Sequence, residues 1–279
     1  MFQIIGNIIC SILKLLWLVG KTIFRLIIPV TPKSVRGEIA LITGAANGIG
    51  RELALQYASQ GAIVVCWDID EKGNLETVER IRKLGYPPAY AYACNIANRE
   101  EVMEMADKVR KDVGNVTILI NNAGIFRSLS FLDLTSADIQ QTININVVAH
   151  FWMLQAFLPA MIKHNHGHIV ATCSVAGLIG VKTLTSYCAS KFAIRGFMEA
   201  LRQDLRADGN CNIKITCVYP FIVNTAMYDS KTVVVKLPKV TPVYEPKYVA
   251  KYIMNAQRCD VSETTIPKYM LHIINFTRY

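Results

Sequence analysis

The sequence predicts an α/β fold: a doubly wound parallel sheet forming a single domain, preceded by an N-terminal membrane-anchoring helix. Three observations lead there. From residue 37 onward, short β-rich runs alternate with longer helical patterns, which places parallel strands beneath helices on both faces. Before that, Phe2 to Val30 is almost continuously apolar and long enough to cross a bilayer as a helix. The chain of 279 residues is 52% hydrophobic and 18% charged, with a mean hydropathy of +0.28. Part of that apolar content must lie outside a globular core.

The polar interruptions in the first segment are informative. On a helical wheel Gln3, Asn7, Ser11, Lys14, Lys21 and Arg25 share one narrow stripe, with Leu18 the main apolar intruder. A thin polar seam on a greasy helix suits a helix lying in the membrane interface, or a hairpin dipping into one leaflet, at least as well as a simple span. A cleaved leader would carry basic residues before the apolar run and a small-residue cleavage site after it. Neither is present, so residues 1–30 are expected to be retained as an anchor. The competing reading, a buried core helix, would need a helix of this length without one acidic residue. Residues 31–36 form a basic linker whose Lys33 and Arg36, by the positive-inside rule, put the rest of the chain in the cytosol. There the sequons Asn115-Val116-Thr117 and Asn275-Phe276-Thr277 stay unmodified.

Charge follows the same division. The formal net charge is +9, yet Lys14, Lys21, Arg25, Lys33 and Arg36 all precede the first acidic residue, Glu38, which leaves about +4 for the remainder. A basic bias beside apolar sequence fits a membrane surface. No basic patch is interleaved with aromatics, so nucleic acid is not an expected partner.

The domain itself is expected to run from 37 to 279. Strands are read at Ile39–Thr43, Ala62–Trp67, Ala89–Ala93, Val116–Ile120, His168–Cys173 and Ile213–Val218, with helical patterns at about 48–60, 71–84, 98–113, 135–164 and 185–207. The stretch 225–246 has no clear period and contains Pro238, Pro242 and Pro246, so it reads as a mobile flap. The eight cysteines (Cys10, Cys66, Cys94, Cys173, Cys188, Cys211, Cys217 and Cys259) include no CxxC pair and fall mostly in apolar runs. They read as small buried hydrophobes of a reducing compartment. His164, His166 and His168 alternate at the mouth of a strand with no acidic or thiol neighbour, which makes them a turn rather than a metal site. No metal is expected.

Chemistry concentrates where strands end. The first strand runs into Thr43-Gly44-Ala45-Ala46-Asn47-Gly48-Ile49-Gly50, and a helix follows at once. Gly44, Gly48 and Gly50 allow a tight turn and a close backbone approach to a pyrophosphate seated on the helix N-terminus, with Asn47 and Ile49 lining the same loop. Asp68 stands eighteen residues past Gly50, at the end of the second strand. There a carboxylate accepts hydrogen bonds from the ribose hydroxyls of NAD and repels a 2′-phosphate. Asn47 offers no positive charge to offset this, although Arg51 could. The cofactor expected is therefore NAD, in a Rossmann-type domain.

The spacing Thr-Gly-x-x-x-Gly-x-Gly resembles the short-chain dehydrogenase/reductase family, and the resemblance continues over roughly residues 36–225. Asn121-Asn122-Ala123-Gly124 is similar to that family's sheet-stabilising element, which puts Asn122, Ala123 and Gly124 beside the cofactor. Ser174 follows the fifth strand, Tyr187-Cys188-Ala189-Ser190-Lys191 matches Tyr-x-x-x-Lys, and Asn146 aligns with the asparagine of the catalytic tetrad. Singly, each has a bland reading: a turn former, a surface aromatic, a core amide. Tyr187 and Lys191, four apart on a predicted helix, share a face where an ammonium favours the phenolate form, so Tyr187 is a credible general base. The resemblance implies that Ser174 holds the substrate oxygen, that Lys191 also binds the nicotinamide ribose, and that Asn146 holds a relay water. It also places Val223 and Thr225 on the nicotinamide carboxamide. Two departures stand out: Phe221 replaces a glycine, and Asn95 replaces the aspartate beside the adenine.

Within the family, Trp67-Asp68-Ile69-Asp70, His150-Phe151-Trp152 and Asn165-His166-Gly167-His168-Ile169-Val170, with the apolar N-terminus, resemble the retinol and 17-beta-hydroxysteroid dehydrogenases of endoplasmic reticulum and lipid droplets. The implied partners are a lipophilic alcohol or ketone and a membrane or droplet surface. Helices corresponding to 98–113 and 135–164 form dimers in many members, so a homodimer is among the expected assemblies. Members usually continue beyond the equivalent of Tyr279, so a final amphipathic segment is expected to be missing. Two alternatives remain at this stage: an NADPH-dependent carbonyl reductase, and a non-catalytic lipid-droplet scaffold.

Overall fold

A computed structural model describes Gly6, Leu13, residues 30–227, 242–271 and Ile274. Apart from Gly6, Leu13 and Val30, the expected anchor at 1–30 lies outside the described residues, as does most of the expected flap. The chain divides between Lys33 and Ser34, and all that follows concerns the second unit.

Seven strands form one sheet: β1 Ile39–Thr43, β2 Ile63–Asp68, β3 Ala89–Ala93, β4 Ile118–Asn121, β5 His168–Thr172, β6 Lys214–Pro220 and β7 Glu263–Ile266. Their order is β3-β2-β1-β4-β5-β6-β7, and every pairing is parallel. Parallel strands need crossovers, which are supplied by α1 Gly48–Ser59, α2 Glu71–Lys83, α3 Arg99–Asp112, α4 Ser136–Ile143, α5 Ala149–His164, α6 Thr185–Ala207 and α7 Pro246–Arg258. Because helices cover both faces, the strands are apolar on both sides. Leu41, Val65 and Trp67 join Met153, Phe157 and Ile194 on the face of α3, α5 and α6. Ala40, Ile42, Val64 and Cys66 join Leu53, Tyr57, Val249 and Ile253 on the face of α1 and α7. Strand order reverses between β1 and β4, and a crevice at the carboxyl ends of the strands opens at such a switch point.

Several boundaries differ from the sequence reading. β2 extends to Asp68, so that carboxylate closes the strand, while β4 starts at Ile118 and β6 runs on to Pro220. The expected helix 135–164 is interrupted by a π-helical turn, Asn144–Val148. The stretch Ser136–His164 is apolar enough to pass for a membrane span, with a mean hydropathy of 1.5. It is instead a core helix, with Met153, Leu154, Phe157 and Met161 buried on the sheet. Two elements went unread, α7 and β7. Proline at the first position of α7 starts that helix, whereas the sequence reading took it as the end of an irregular tract. β7 has only four residues, too few to show a period.

Candidate active site

The glycine loop is held by backbone contact. Gly44 lies at φ +70° and Gly48 at φ +53°. A Cβ on Gly44 would stand 3.0 Å from the Cα of Ala123, and one on Gly50 only 1.9 Å from the carbonyl oxygen of Gly44. No side chain fits there. Thr43, which the sequence reading passed over, joins the two loops: its hydroxyl donates to Ile120 O (3.4 Å) and accepts the N–H groups of Asn122 and Ala123, each at 3.0 Å. Asn122 Nδ2 donates back to Thr43 O at 3.0 Å. Asn121 lies buried beside it, and its amide nitrogen and oxygen have no hydrogen-bond partner.

The remaining nucleotide-side residues collect around this loop. Asn47 is exposed at the cap of α1, and its side chain makes no capping bond. Ile49 is half-buried against the core. Thr225, beyond β6, brings its Cγ2 to 3.2 Å from where a Cβ of Gly48 would sit. Val223 is buried and pairs with Tyr244, which pins together the two ends of the expected flap. Asp68 accepts the N–H of Ala46 on Oδ2 (2.9 Å) and that of Asp70 on Oδ1 (3.0 Å), which fixes the carboxylate at the strand end. Arg51 is engaged elsewhere, donating to the Thr77 hydroxyl at 3.1 Å and lying 3.6 Å from the Glu76 carboxylate. Asn95, two residues beyond the partner of Asp68 on β3, spends its carbonyl on Ala97 N–H at 3.1 Å.

The other half of the site is built from buried side chains. Asn146 sits in the π-helical turn, fully buried. That wide turn swings its amide across to the loop after β4: Nδ2 donates to Ile125 O (2.9 Å) and Oδ1 accepts Ile125 N–H (2.8 Å). π-turns of this kind concentrate at functional sites. Nδ2 also reaches the Ser190 hydroxyl at 3.1 Å, and Ser190 donates to Tyr187 O at 2.7 Å. So Asn146 is joined to the helix of Tyr187 through a serine that the sequence reading missed, although it lies inside Tyr-x-x-Ser-Lys. A Cβ on Gly124 would stand 3.1 Å from Asn146 Oδ1 and 3.7 Å from Lys191 Nζ, so both groups converge on that glycine.

Lys191 is 5% exposed, donates to Thr172 O at 3.2 Å, and holds Nζ 5.6 Å from the centre of the Tyr187 ring. Cys173 bonds back to Lys191 O, so the end of β5 is tied to α6 twice just before Ser174. Ser174 Oγ accepts Ala176 N–H at 3.2 Å. Among the described residues, no hydrogen bond joins the hydroxyls of Ser174 and Tyr187. Phe126, also missed from sequence, stands edge-on to Tyr187 with ring centres 5.0 Å apart. His150, one turn past Asn146 and buried, is pushed down to about 3 by that burial and by the charge of Lys191, and so stays neutral. Burial raises Cys66 and Cys94 to about 12, and the described cysteines form no disulfide with one another.

A glycine loop, an acidic strand end and a half-buried tyrosine beside a buried lysine and asparagine are a combination found in a known family. The family model for short chain dehydrogenase matches residues 38–233. Epidermal retinol dehydrogenase 2 of Mus musculus is 42% identical over 271 residues, covering 95% of this chain and 87% of that one. The 17-beta-hydroxysteroid dehydrogenase 13 of Homo sapiens is 37% identical over 268 residues, covering 96% and 87%. Among solved structures, a short chain dehydrogenase/reductase from Burkholderia phymatum in complex with NAD superposes with a TM-score of 0.77 at 25% identity, over 87% of this chain and 93% of that one. The chain therefore belongs to the short-chain dehydrogenase/reductase family, as an alcohol oxidoreductase of its retinol and hydroxysteroid dehydrogenase branch.

Proposed function

We propose that the protein oxidises the hydroxyl group of a lipophilic alcohol, of the retinol or 17-beta-hydroxysteroid type, to the carbonyl, using NAD. The observation that carries this reading is the meeting of Lys191 and Asn146 at Gly124, beside the glycine loop, with the Lys191 ammonium 5.6 Å from the centre of the Tyr187 ring. Residues present fit the cofactor. The loop is bare backbone at Gly44 and Gly50, and Asp68 is held where ribose hydroxyls would reach it. Arg51, a nearby cation that could receive a 2′-phosphate, is committed to α2, which favours NAD over NADP. When bound there, NAD would supply the acceptor for the hydride of the carbinol carbon.

The chain's own groups do the rest. Tyr187 removes the hydroxyl proton, and Ser174 holds the substrate oxygen. One proton of the Lys191 ammonium is spent on Thr172 O, which leaves two for the Tyr187 side and the ribose. Asn146 holds a water through which the proton is relayed outward. Half-buried Phe126 gives the site an apolar wall against Tyr187, and the retinol and hydroxysteroid relatives support a substrate of that class.

Residues 1–30 anchor the protein in this reading, on the endoplasmic reticulum membrane or a lipid droplet, with the domain in a reducing cytosol. The apolar run from Phe2 to Val30 supports this. The test is a panel of retinol, estradiol and short alcohols, assayed with membrane-bound full-length protein and with NAD or NADP. Retinol or estradiol should be turned over with NAD at least about tenfold better than with NADP, a difference of about 1.4 kcal/mol. Equal rates with both cofactors would overturn the NAD assignment, and turnover of short alcohols alone would overturn the substrate class.

A further inference from the structure

Thr183 fastens the loop carrying Phe126 to the segment that enters the helix of Tyr187, and the Asn146–Ser190 bridge ties the same loop to that helix further along. Leu129 N–H donates to Thr183 O at 3.0 Å, and the hydroxyls of Ser128 and Thr183 are 3.2 Å apart. Thr183 Oγ1 also donates to Lys182 O at 2.6 Å, so Ser128 is the donor in that pair. Thr183 lies at φ +64°. A β-branched residue in the left-handed region is a real outlier, and such strain persists only where the surroundings over-determine it. Two positions later Thr185 opens α6, and Tyr187 stands in its first turn. At the far side of this clasp, Phe126 meets the face of Tyr187 at 5.0 Å and 74°. Leu129, Phe131 and Leu132 on one loop, and Val181 on the other, remain exposed around it.

We propose that Thr183 is a positioning residue for Tyr187: its strained turn locks the Phe126 loop against the first turn of α6 and so fixes the phenol against the alcohol. The role rests on Tyr187 acting as the base. Without the Thr183 clasp the Phe126 loop loses its tie to the segment just before Tyr187, while the Asn146–Ser190 bridge holds the turn after it, and a proton abstraction that needs hydrogen-bond geometry is sensitive to that.

Glycine separates this role from a merely structural one. Thr183→Gly removes the strain and the hydroxyl but keeps the carbonyl that Leu129 binds. If Thr183 is only structural, glycine should be neutral or stabilising and turnover should not change. The positioning role predicts a thermal midpoint that holds or rises while kcat falls about fivefold, with KM for NAD unchanged. Thr183→Asn, which tolerates the left-handed region and keeps a hydrogen-bonding side chain, should restore kcat to within about twofold. The assay uses full-length protein, NAD and whichever of retinol and estradiol the unmodified protein oxidises, with thermal unfolding measured in parallel. A Thr183→Gly protein that keeps wild-type kcat, or a Thr183→Asn protein that fails to recover it, overturns the proposal. Tyr187→Phe, run alongside, keeps the two failures apart. Should it turn over normally, the base assignment falls; should it be dead while Thr183→Gly is fully active, only the positioning role falls.

Discussion

Both ends of the sheet carry histidines among polar side chains, and they differ in how far those groups are satisfied. At the amino end, His168 opens β5 with Nε2 2.8 Å from the Thr216 hydroxyl and Nδ1 3.3 Å from Gln257 Nε2, and Gln257 accepts from Tyr57 OH at 3.0 Å. Asp260 Oδ1 lies 3.7 Å from that same Nδ1, so both ring nitrogens face polar groups. His166 lies 3.0 Å from Glu38, and His164 lies 3.2 Å from Asn115. Each imidazole here has its own partner, and among the described residues no cluster suits a metal. Around Lys191 the count is different: His150 Nδ1, Thr172 Oγ1 and Ser186 Oγ are buried without partners. A saturated network makes a scaffold, while spare hydrogen-bonding capacity around a buried cation is what a proton-transferring site requires.

The largest expected effect lies at the unsaturated end. Tyr187→Phe keeps the ring, its contact with Phe126 and the packing, and deletes one hydroxyl. Single-turnover hydride transfer should fall by roughly 10²–10⁴-fold, the usual range for a lost general acid or base, with thermal stability unchanged. Lys191→Met should lose comparably and also weaken NAD binding. A Tyr187→Phe protein keeping more than about a tenth of the wild-type rate would break the contrast between the two ends. At the saturated end the response should reverse. Thr216→Val preserves shape but strands the buried Nε2 of His168, which should cost about 1–3 kcal/mol in chemical unfolding and leave kcat alone. A loss of turnover without a loss of stability would show that this network belongs to the site as well.

Legibility in the sequence follows the range over which each feature is determined. Gly44, Gly48 and Gly50 answer a local demand for backbone room, and Tyr187 and Lys191 share a face through helical period alone, so both were readable. α6 was expected at 185–207 and occupies Thr185–Ala207. The π-helical turn was not readable, because the interruption accompanies Asn146 reaching the backbone of Ile125, twenty-one residues away. Phe126 and Ser190 lie beside residues that were recognised, yet their contacts exist only once loops from different strands meet. The engagement of Arg51 by α2 likewise needed the fold before it could count against a 2′-phosphate.

The smallest expected effect concerns His150, where the two ends can be compared by pH. Its folded value of about 3 lies well below the ordinary 6.5, first because burial disfavours the imidazolium and then because Lys191 is the charge that faces it. Between those values the unfolded chain binds the proton and the folded chain does not, so stability is complete above about pH 6.5 and declines as pH falls. From pH 6.5 to 5.5 this group alone should remove about 1 kcal/mol, given 1.36 kcal/mol for each full unit. His150→Gln keeps a polar side chain of similar size and cannot titrate, so its unfolding free energy should lack that portion of the decline. Urea unfolding of wild type and variant at the two pH values measures the difference. If the two slopes coincide, His150 takes up its proton in the folded protein as readily as in the unfolded one, and the spare capacity around Lys191 is smaller than its buried, unpartnered atoms indicate.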